Sequence, residues 1–203
     1  MALEISRIPC SPRMPSELLQ PIMSNITDLH TLFNLSFTNK FLQYDAEKQL
    51  YSSISPQHGK DVSLHLSFLR TITMDNDRCR RLAEYVREYS IDSILRYHED
   101  PLWCLLYAGL RKMVNLKTLN LLTFSGPCGE LLLGVPFKLT SLFLDVKCDE
   151  ESMGHILDEQ SELKELKLFI SEREVGFKFS EEACPKLEVL WGNRYSIEAL
   201  LPG

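Results

Sequence analysis

The feature that most constrains this chain is a six-residue pattern that occurs four times in its C-terminal half. The copies occupy residues 116–121, 139–144, 163–168 and 187–192. Leucine fills the first, fourth and sixth positions of each copy, except that the last copy ends in Gly192. The first leucines stand 23 or 24 residues apart. One such pattern is weak evidence, but four in register are hard to obtain by chance, so they predict four copies of one structural unit.

The spacing within each copy predicts a β-strand. Leucines at the fourth and sixth positions point to one side of a strand, and the residue between them points to the other. No single copy can bury its leucines alone, so we expect the copies to stack side by side as a solenoid with a parallel sheet. A leucine pattern with a period of 20–29 residues is the signature of leucine-rich repeats. Residues 86–91 fit with Val86 and Tyr89 as substitutes, and we interpret them as an irregular first repeat.

The segments between the copies predict irregular returns. Residues 149–159, with Met153, Ile156 and Leu157, are expected to form one returning helix. The ninth repeat position usually holds Asn or Cys, which bonds the turn backbone. Here that position holds, in order, Phe124, Lys147, Ser171 and Tyr195. We therefore expect no side-chain ladder at the turns. The sequence stops at Gly203, just after the fourth copy and without an evident polar cap, so a truncated product and a complete one are both left open.

The residues that alternate with the leucines predict a binding surface. They are Asn120, Phe143, Lys167 and Trp191, followed two positions later by Leu122, Asp145, Phe169 and Asn193. Aromatic side chains beside charges are typical of protein-binding surfaces. The alternative, that helices or a further stretch of chain cover this face, fits the sequence equally well.

The N-terminal region, residues 13–54, predicts three short helices. The first carries an apolar face and is expected to begin with Ser16 as its cap and to be kinked or shortened by Pro21. The second is expected to be capped by Asp28 or Thr31. The third covers residues 39–50, with Phe41, Leu42, Ala46 and Leu50 as the predicted buried stripe. Three short helices cannot bury all their large side chains alone, so part of this surface is expected to meet the next region or a partner.

The middle region, residues 55–112, predicts an irregular α/β segment. Residues 64–74 fit a helix and a buried strand equally well, whereas residues 80–85 favour a helix. Pro101 suits the first turn of a further helix that extends to about residue 113.

Two stretches of the N-terminal region resemble a known family. Residues 14–22 read Met-Pro-Ser-Glu-Leu-Leu-Gln-Pro-Ile, which resembles the Leu-Pro-x-Glu-Leu-Leu-x-x-Ile opening of F-box domains. Residues 29–40 resemble the Leu-x-Asp-Leu-Leu-x-Leu-x-Leu-Thr-Cys-Arg stretch that follows, and Leu50-Tyr51 resembles the closing Leu-Trp or Leu-Tyr. This resemblance covers about forty residues, and residues 50–91 also look like fungal F-box proteins that carry leucine-rich repeats. Four residues depart from the F-box pattern: Met14, Pro21, Thr31 and Asn39.

The resemblance implies a substrate-recognition adaptor. F-box proteins dock on a Skp-type linker, which joins them to a cullin–RING ubiquitin ligase (an SCF complex), and their repeats hold an unknown protein substrate. The implied linker-docking residues are Met14, Pro15, Leu18, Leu19, Ile22, Leu29, Leu32, Leu35 and Phe37. The implied fold is α/β, with a tail (1–12), a three-helix F-box-like module (13–54), the irregular segment with the first repeat (55–112) and a short leucine-rich repeat solenoid (113–203). The alternative is a leucine-rich repeat binding module whose N-terminal helices only cap the solenoid.

Composition and motifs argue against other classes of protein. The formal net charge of −6 disfavours nucleic-acid binding, which needs clustered Lys and Arg. The longest apolar run, residues 102–110, is about half of what a membrane helix needs, and no signal peptide is evident. We therefore expect the chain in the cytoplasm or nucleus, and in such a reducing compartment the six scattered cysteines, which form no CxxC pair, are interpreted as small apolar residues. Cys148 and His155 lack a second pair for zinc. We expect no cofactor, no metal and no catalysis.

Overall fold

The computed structural model describes most of the chain. The described residues are 15–38, 40–55, 62–95, 101–124, 128–146, 150–169, 183–194 and 196–197. The chain divides into two compact units, Met1–Leu50 and Tyr51–Gly203. We refer to them as the helical unit and the sheet unit and describe each by itself.

The helical unit contains three helices, α1 (Ser16–Ser24), α2 (Leu29–Thr38) and α3 (Lys40–Leu50). Its interior is small. The buried apolar residues are Met23, Leu32 and Ala46, and Ile26, Leu35, Leu42 and Leu50 pack against them half-buried. Gln49 Nε2 on α3 donates a hydrogen bond to the carbonyl oxygen of Met23 at 2.6 Å, which ties α3 to α1.

The ends of α1 and α2 differ in how they are capped. Ser16 was predicted to cap α1, but it is not the cap, because the helix already includes it. Pro15 is the N-cap, its carbonyl accepts from Leu18 N–H at 3.1 Å, and no side chain caps this end. Pro21 lies inside α1, which ends at Ser24. Asp28 caps α2, as one of the two predicted alternatives, since its Oδ2 accepts from Thr31 N–H at 2.7 Å.

The buried stripe of α3 is narrower than predicted. Leu42, Ala46 and Leu50 stand four residues apart and contribute to the core. Phe41, predicted to be buried with them, is 69% exposed. One residue along a helix turns a side chain by about 100°, so the stripe that buries Leu42 turns Phe41 away.

The sheet unit is a mixed α/β structure built on a six-stranded parallel sheet. Its strands lie in sequence order, β1-β2-β3-β4-β5-β6. The strands are β1 (Ser53–Ile54), β2 (Glu88–Leu95), β3 (Thr118–Phe124), β4 (Ser141–Val146), β5 (Glu165–Phe169) and β6 (Val189–Gly192). The helices are α4 (Val62–Thr73) and α5 (Asp77–Tyr85) between β1 and β2, α6 (Pro101–Leu110), α7 (Cys128–Leu132) and α8 (Glu150–Glu159). Residues 64–74, which fitted two structures, thus belong mainly to a helix.

The strand register follows the leucine pattern. Leu119 pairs with Tyr89 on one side and with Leu142 on the other, and Leu142 pairs in turn with Leu166. The fourth-position side chains of β2 to β5 are fully buried. The parallel sheet and the predicted inward register are therefore confirmed, including the irregular copy in which Tyr89 replaces a leucine.

A repeated backbone contact precedes each strand. The carbonyl of Arg87 accepts from the N–H groups of Lys117 and Thr118, at 2.8 and 3.0 Å. The carbonyls of Lys117, Thr140 and Lys164 accept in the same way from the next copy, and that of Ser52 accepts from residues 87 and 88. The array thus begins at β1, one strand earlier than the copies predicted from the sequence.

Candidate protein-binding surfaces

The sheet presents three rows of side chains on the side opposite the buried leucines. The first row is Glu88, Thr118, Ser141, Glu165 and Val189; the second is Ser90, Asn120, Phe143, Lys167 and Trp191; the third holds Asp145 paired with Phe169, and also Leu122 of β3, which is not paired with Asp145 because the register shifts after Leu121. Because side chains alternate along a strand, burying the leucines commits these rows to the other side. We call these three rows the exposed sheet face.

The exposed sheet face changes character along the sheet. On β2 and β3 the second row holds Ser90 and Asn120, both small, polar and half-buried. From β4 onward the face also carries large aromatic rings. The rings of Phe143 and Phe169 lie 5.8 Å apart between centroids, and Trp191 is 60% exposed. Half of the face is thus suited to an apolar contact and half is not.

Charges on the exposed sheet face are partly paired. Glu165 Oε1 lies 3.1 Å from Lys167 Nζ, and Glu165 Oε2 accepts from Ser141 Oγ at 3.0 Å. The hydrogen bond from Lys167, then that from Ser141, lowers the pKa of Glu165. Asp145 is exposed beside Phe169 in register, and among the described residues no hydrogen bond or ion pair engages its carboxylate. This face therefore offers one free anion next to aromatic rings.

Seven of the eight predicted substrate-face residues lie together on this face. Asn120, Leu122, Phe143 and Lys167 are half-buried, while Asp145, Phe169 and Trp191 are exposed. Asn193 is the exception, because β6 ends at Gly192. Its Oδ1 accepts from Ser196 N–H at 3.0 Å and from Ser196 Oγ at 2.8 Å, which makes it a local turn cap. The binding role of these residues stays a prediction.

The helical unit carries a second apolar surface. Its large exposed apolar side chains are Leu18, Ile22, Leu29, Phe33, Phe37, Phe41 and Tyr44. Three of them, Leu29, Phe33 and Phe37, stand four residues apart and so share one side of α2. The rings of Phe33 and Phe37 meet edge to face with centroids 4.8 Å apart. We call these three residues the α2 stripe.

The predicted linker-docking residues divide into accessible and inaccessible ones. Met14 lies outside the described residues. Pro15, Leu18, Ile22, Leu29 and Phe37 are exposed, and Leu19 and Leu35 are half-buried. Leu32 is only 3% exposed and belongs to the core of the helical unit, so its assignment to a docking surface is corrected.

Three exposed aromatic residues of the helical unit lie outside the predicted docking set. They are Phe33, Phe41 and Tyr44. The four-residue spacing of Phe33 between Leu29 and Phe37 was a signal that could have identified it. Phe41 and Tyr44 had no comparable signal, because they fit an inward helix face equally well.

The buried polar groups of the sheet unit fit structural roles. His65 on α4 and Tyr89 on β2 are both buried, with 3.1 Å between Nδ1 and the phenolic oxygen. Burial raises the pKa of Tyr89, so its hydroxyl stays protonated. Burial likewise raises the pKa of the Cys184 thiol to about 11, which disfavours the nucleophilic thiolate.

Two kinds of site are absent from the part of the chain that the structure describes. No three His, Cys, Asp or Glu side chains gather there as a metal site would require. Within the same residues, no helix has both the length and the apolar character needed to cross a membrane.

Comparisons with known proteins do not assign this chain to a family. A scan against models of protein families and a search of curated proteins both found no match.

Proposed function

We propose that this chain is an F-box-type adaptor of a cullin–RING ubiquitin ligase. In this proposal the helical unit docks a Skp-type linker, and the sheet unit is a leucine-rich repeat solenoid that holds a protein substrate. The chain itself performs no catalysis, needs no cofactor and acts in the cytoplasm or nucleus.

The observation that carries the proposal is the distribution of apolar side chains in the helical unit. Only Met23, Leu32 and Ala46 are buried apolar residues among those described there, whereas Leu18, Ile22 and the α2 stripe stay exposed. Exposed apolar side chains on short amphipathic helices are typical of helix surfaces that pack against a partner. They also fall within residues 14–51, whose order resembles the F-box.

The repeat part of the proposal is supported by regularity across the sheet unit. The same carbonyl-to-two-N–H contact recurs at Ser52, Arg87, Lys117, Thr140 and Lys164. Sequential parallel order, with the fourth positions of β2 to β6 paired in register, is what a stack of similar units requires, since each unit contacts only its neighbours. The surface opposite the leucines is then left for a substrate.

The linker-docking proposal is tested by exchanging exposed residues only. A chain with Leu18→Asp and Phe37→Asp should lose at least about tenfold in affinity for a purified Skp-type linker, because charges replace two apolar contacts. Both positions are more than half exposed, so the fold should survive. Affinity is measured by calorimetry, and circular dichroism verifies folding.

The matched control is a chain with Gln20→Asp and Asn34→Asp. These residues are exposed on the same two helices, and the change adds the same charge. Binding that is unchanged in the Leu18/Phe37 chain, or lost equally in the control, would contradict docking through this surface. The chain would then be better described as a repeat binding module without a linker.

A further inference from the structure

We propose that the exposed sheet face selects an extended protein segment in which a basic residue, preferably arginine, stands next to an apolar one. The inference rests on the part of the proposed function that makes this face the substrate surface. It does not depend on linker docking.

The first step is the position of the unpaired carboxylate. Asp145 is the last residue of β4 that belongs to the exposed sheet face. It lies two residues after Phe143 and in register with Phe169 of β5. An isolated carboxylate on a solvated surface needs no explanation. Here it borders two rings in mutual contact, 5.8 Å between centroids, so a ligand that covers the rings also covers the carboxylate.

The second step is the chemistry of a ligand that satisfies both groups. Covering Asp145 without supplying a donor would remove its water and leave a charge unpaired, which is unfavourable. An arginine side chain meets both demands, because its planar guanidinium stacks on aromatic rings and donates two parallel hydrogen bonds to a carboxylate. Lysine supplies the charge alone, so it should be accepted less well.

The third step is the balance of charge around the site. The described part of this face carries the carboxylates of Glu88, Asp145 and Glu165 but only one cation, Lys167. Lys167 is already engaged by Glu165 at 3.1 Å. An acidic segment would meet no free cation among the described residues of this face, whereas a basic one meets Asp145. Trp191, 60% exposed and in register with Lys167, provides the adjoining apolar contact.

The test uses an oriented peptide library on the immobilised full chain. The library consists of nine-residue peptides with a fixed central leucine and two randomised positions on each side. Sequencing of the retained pool should show Arg enriched over Lys, and both enriched over Asp and Glu. Asp145→Asn keeps the shape and removes the charge, and it should lower the Arg enrichment about threefold or more. Asp145→Arg should shift the enrichment to Asp and Glu.

Two further variants locate the binding. Trp191→Ser removes an exposed ring and should reduce retention of all peptides. Asp158→Asn, an exposed acid on α8, should change nothing. The inference is overturned if basic residues are not enriched, if Asp145→Asn retains the enrichment, or if no peptide is retained. Linker capture is measured on the same preparations, so this inference can fail while the adaptor role stands, and the reverse.

Discussion

The two units of this protein use their apolar residues in opposite ways. In the sheet unit, the inward leucines of β3, β4 and β5 are fully buried, and they share one continuous core with residues of α4, α6 and α8. In the helical unit the core contains Met23, Leu32 and Ala46, and most large side chains of α2 lie outside it.

The difference teaches where each unit obtains its stability. A strand inside the sheet has a neighbour on each side, so it buries its leucines within the chain. Three helices of nine to eleven residues enclose too little volume for their own side chains. The sheet unit should therefore be stable by itself, and the helical unit should gain stability from whatever covers its exposed surface.

The largest effect is expected from the core of the sheet unit. Leu142→Ala removes a fully buried side chain in the middle of the sheet and should lower the free energy of unfolding by about 2–5 kcal/mol. Denaturant titration of the full chain measures this. The comparison variant is Phe143→Ala, which deletes more atoms from the next position but faces outward. It should cost about 1 kcal/mol. An equal or larger loss for Phe143→Ala would show that the register is wrong.

A smaller and more local effect is expected from the core of the helical unit. Leu32→Ala leaves a cavity between α1, α2 and α3, at a cost of about 2–3 kcal/mol to this unit only. Amide hydrogen exchange should show faster exchange in α2 and α3, with β3 to β5 unchanged. Phe33→Ala is the control, since this neighbour is 54% exposed and should leave exchange nearly unaltered. Faster exchange in both units would mean that they do not unfold separately.

Much of the sheet was predictable because its determinants are local and repeated. Four copies of one pattern fixed which leucines face inward, and the same template located Tyr89 within the irregular copy. The β1 strand was not predicted as part of the array. It has two residues, and only its backbone contacts with residues 87 and 88 relate it to the other copies.

The helical surfaces were less predictable because helix periodicity leaves neighbouring positions ambiguous. Leu32 and Phe33 lie three and four residues after Leu29, so either could face inward. Leu32 is the one that is buried, because it packs against α1 and α3. The spacing of residues within α2 alone could not predict this. The position of Asn193 was hard to predict for a related reason, because the strand pattern could not show that β6 ends one residue before it.

The smallest effect is expected from the cap of α2. It should make the amide protection of the helical unit, but not that of the sheet unit, depend on pH. The hydrogen bonds from Thr31 to the Asp28 carboxylate lower the pKa of Asp28 below its ordinary value. A lowered folded-state pKa means that the ionised form stabilises the fold. This contribution is complete above the unfolded-state pKa of about 4 and is lost as the pH falls through the folded-state pKa.

Asp28→Asn keeps an oxygen acceptor but cannot titrate. At neutral pH the parent chain should therefore protect the α2 amides slightly better than the variant, and the two should converge as the pH falls below about 4 and through the lower folded-state pKa of Asp28. Amide exchange is measured as the ratio between the two chains at each pH, so the intrinsic pH dependence cancels. The sheet-unit amides serve as the internal reference and should give a ratio near one throughout. A ratio in α2 that does not change with pH would mean that the charge of Asp28 contributes nothing beyond the acceptor oxygen, which the asparagine of the variant also supplies.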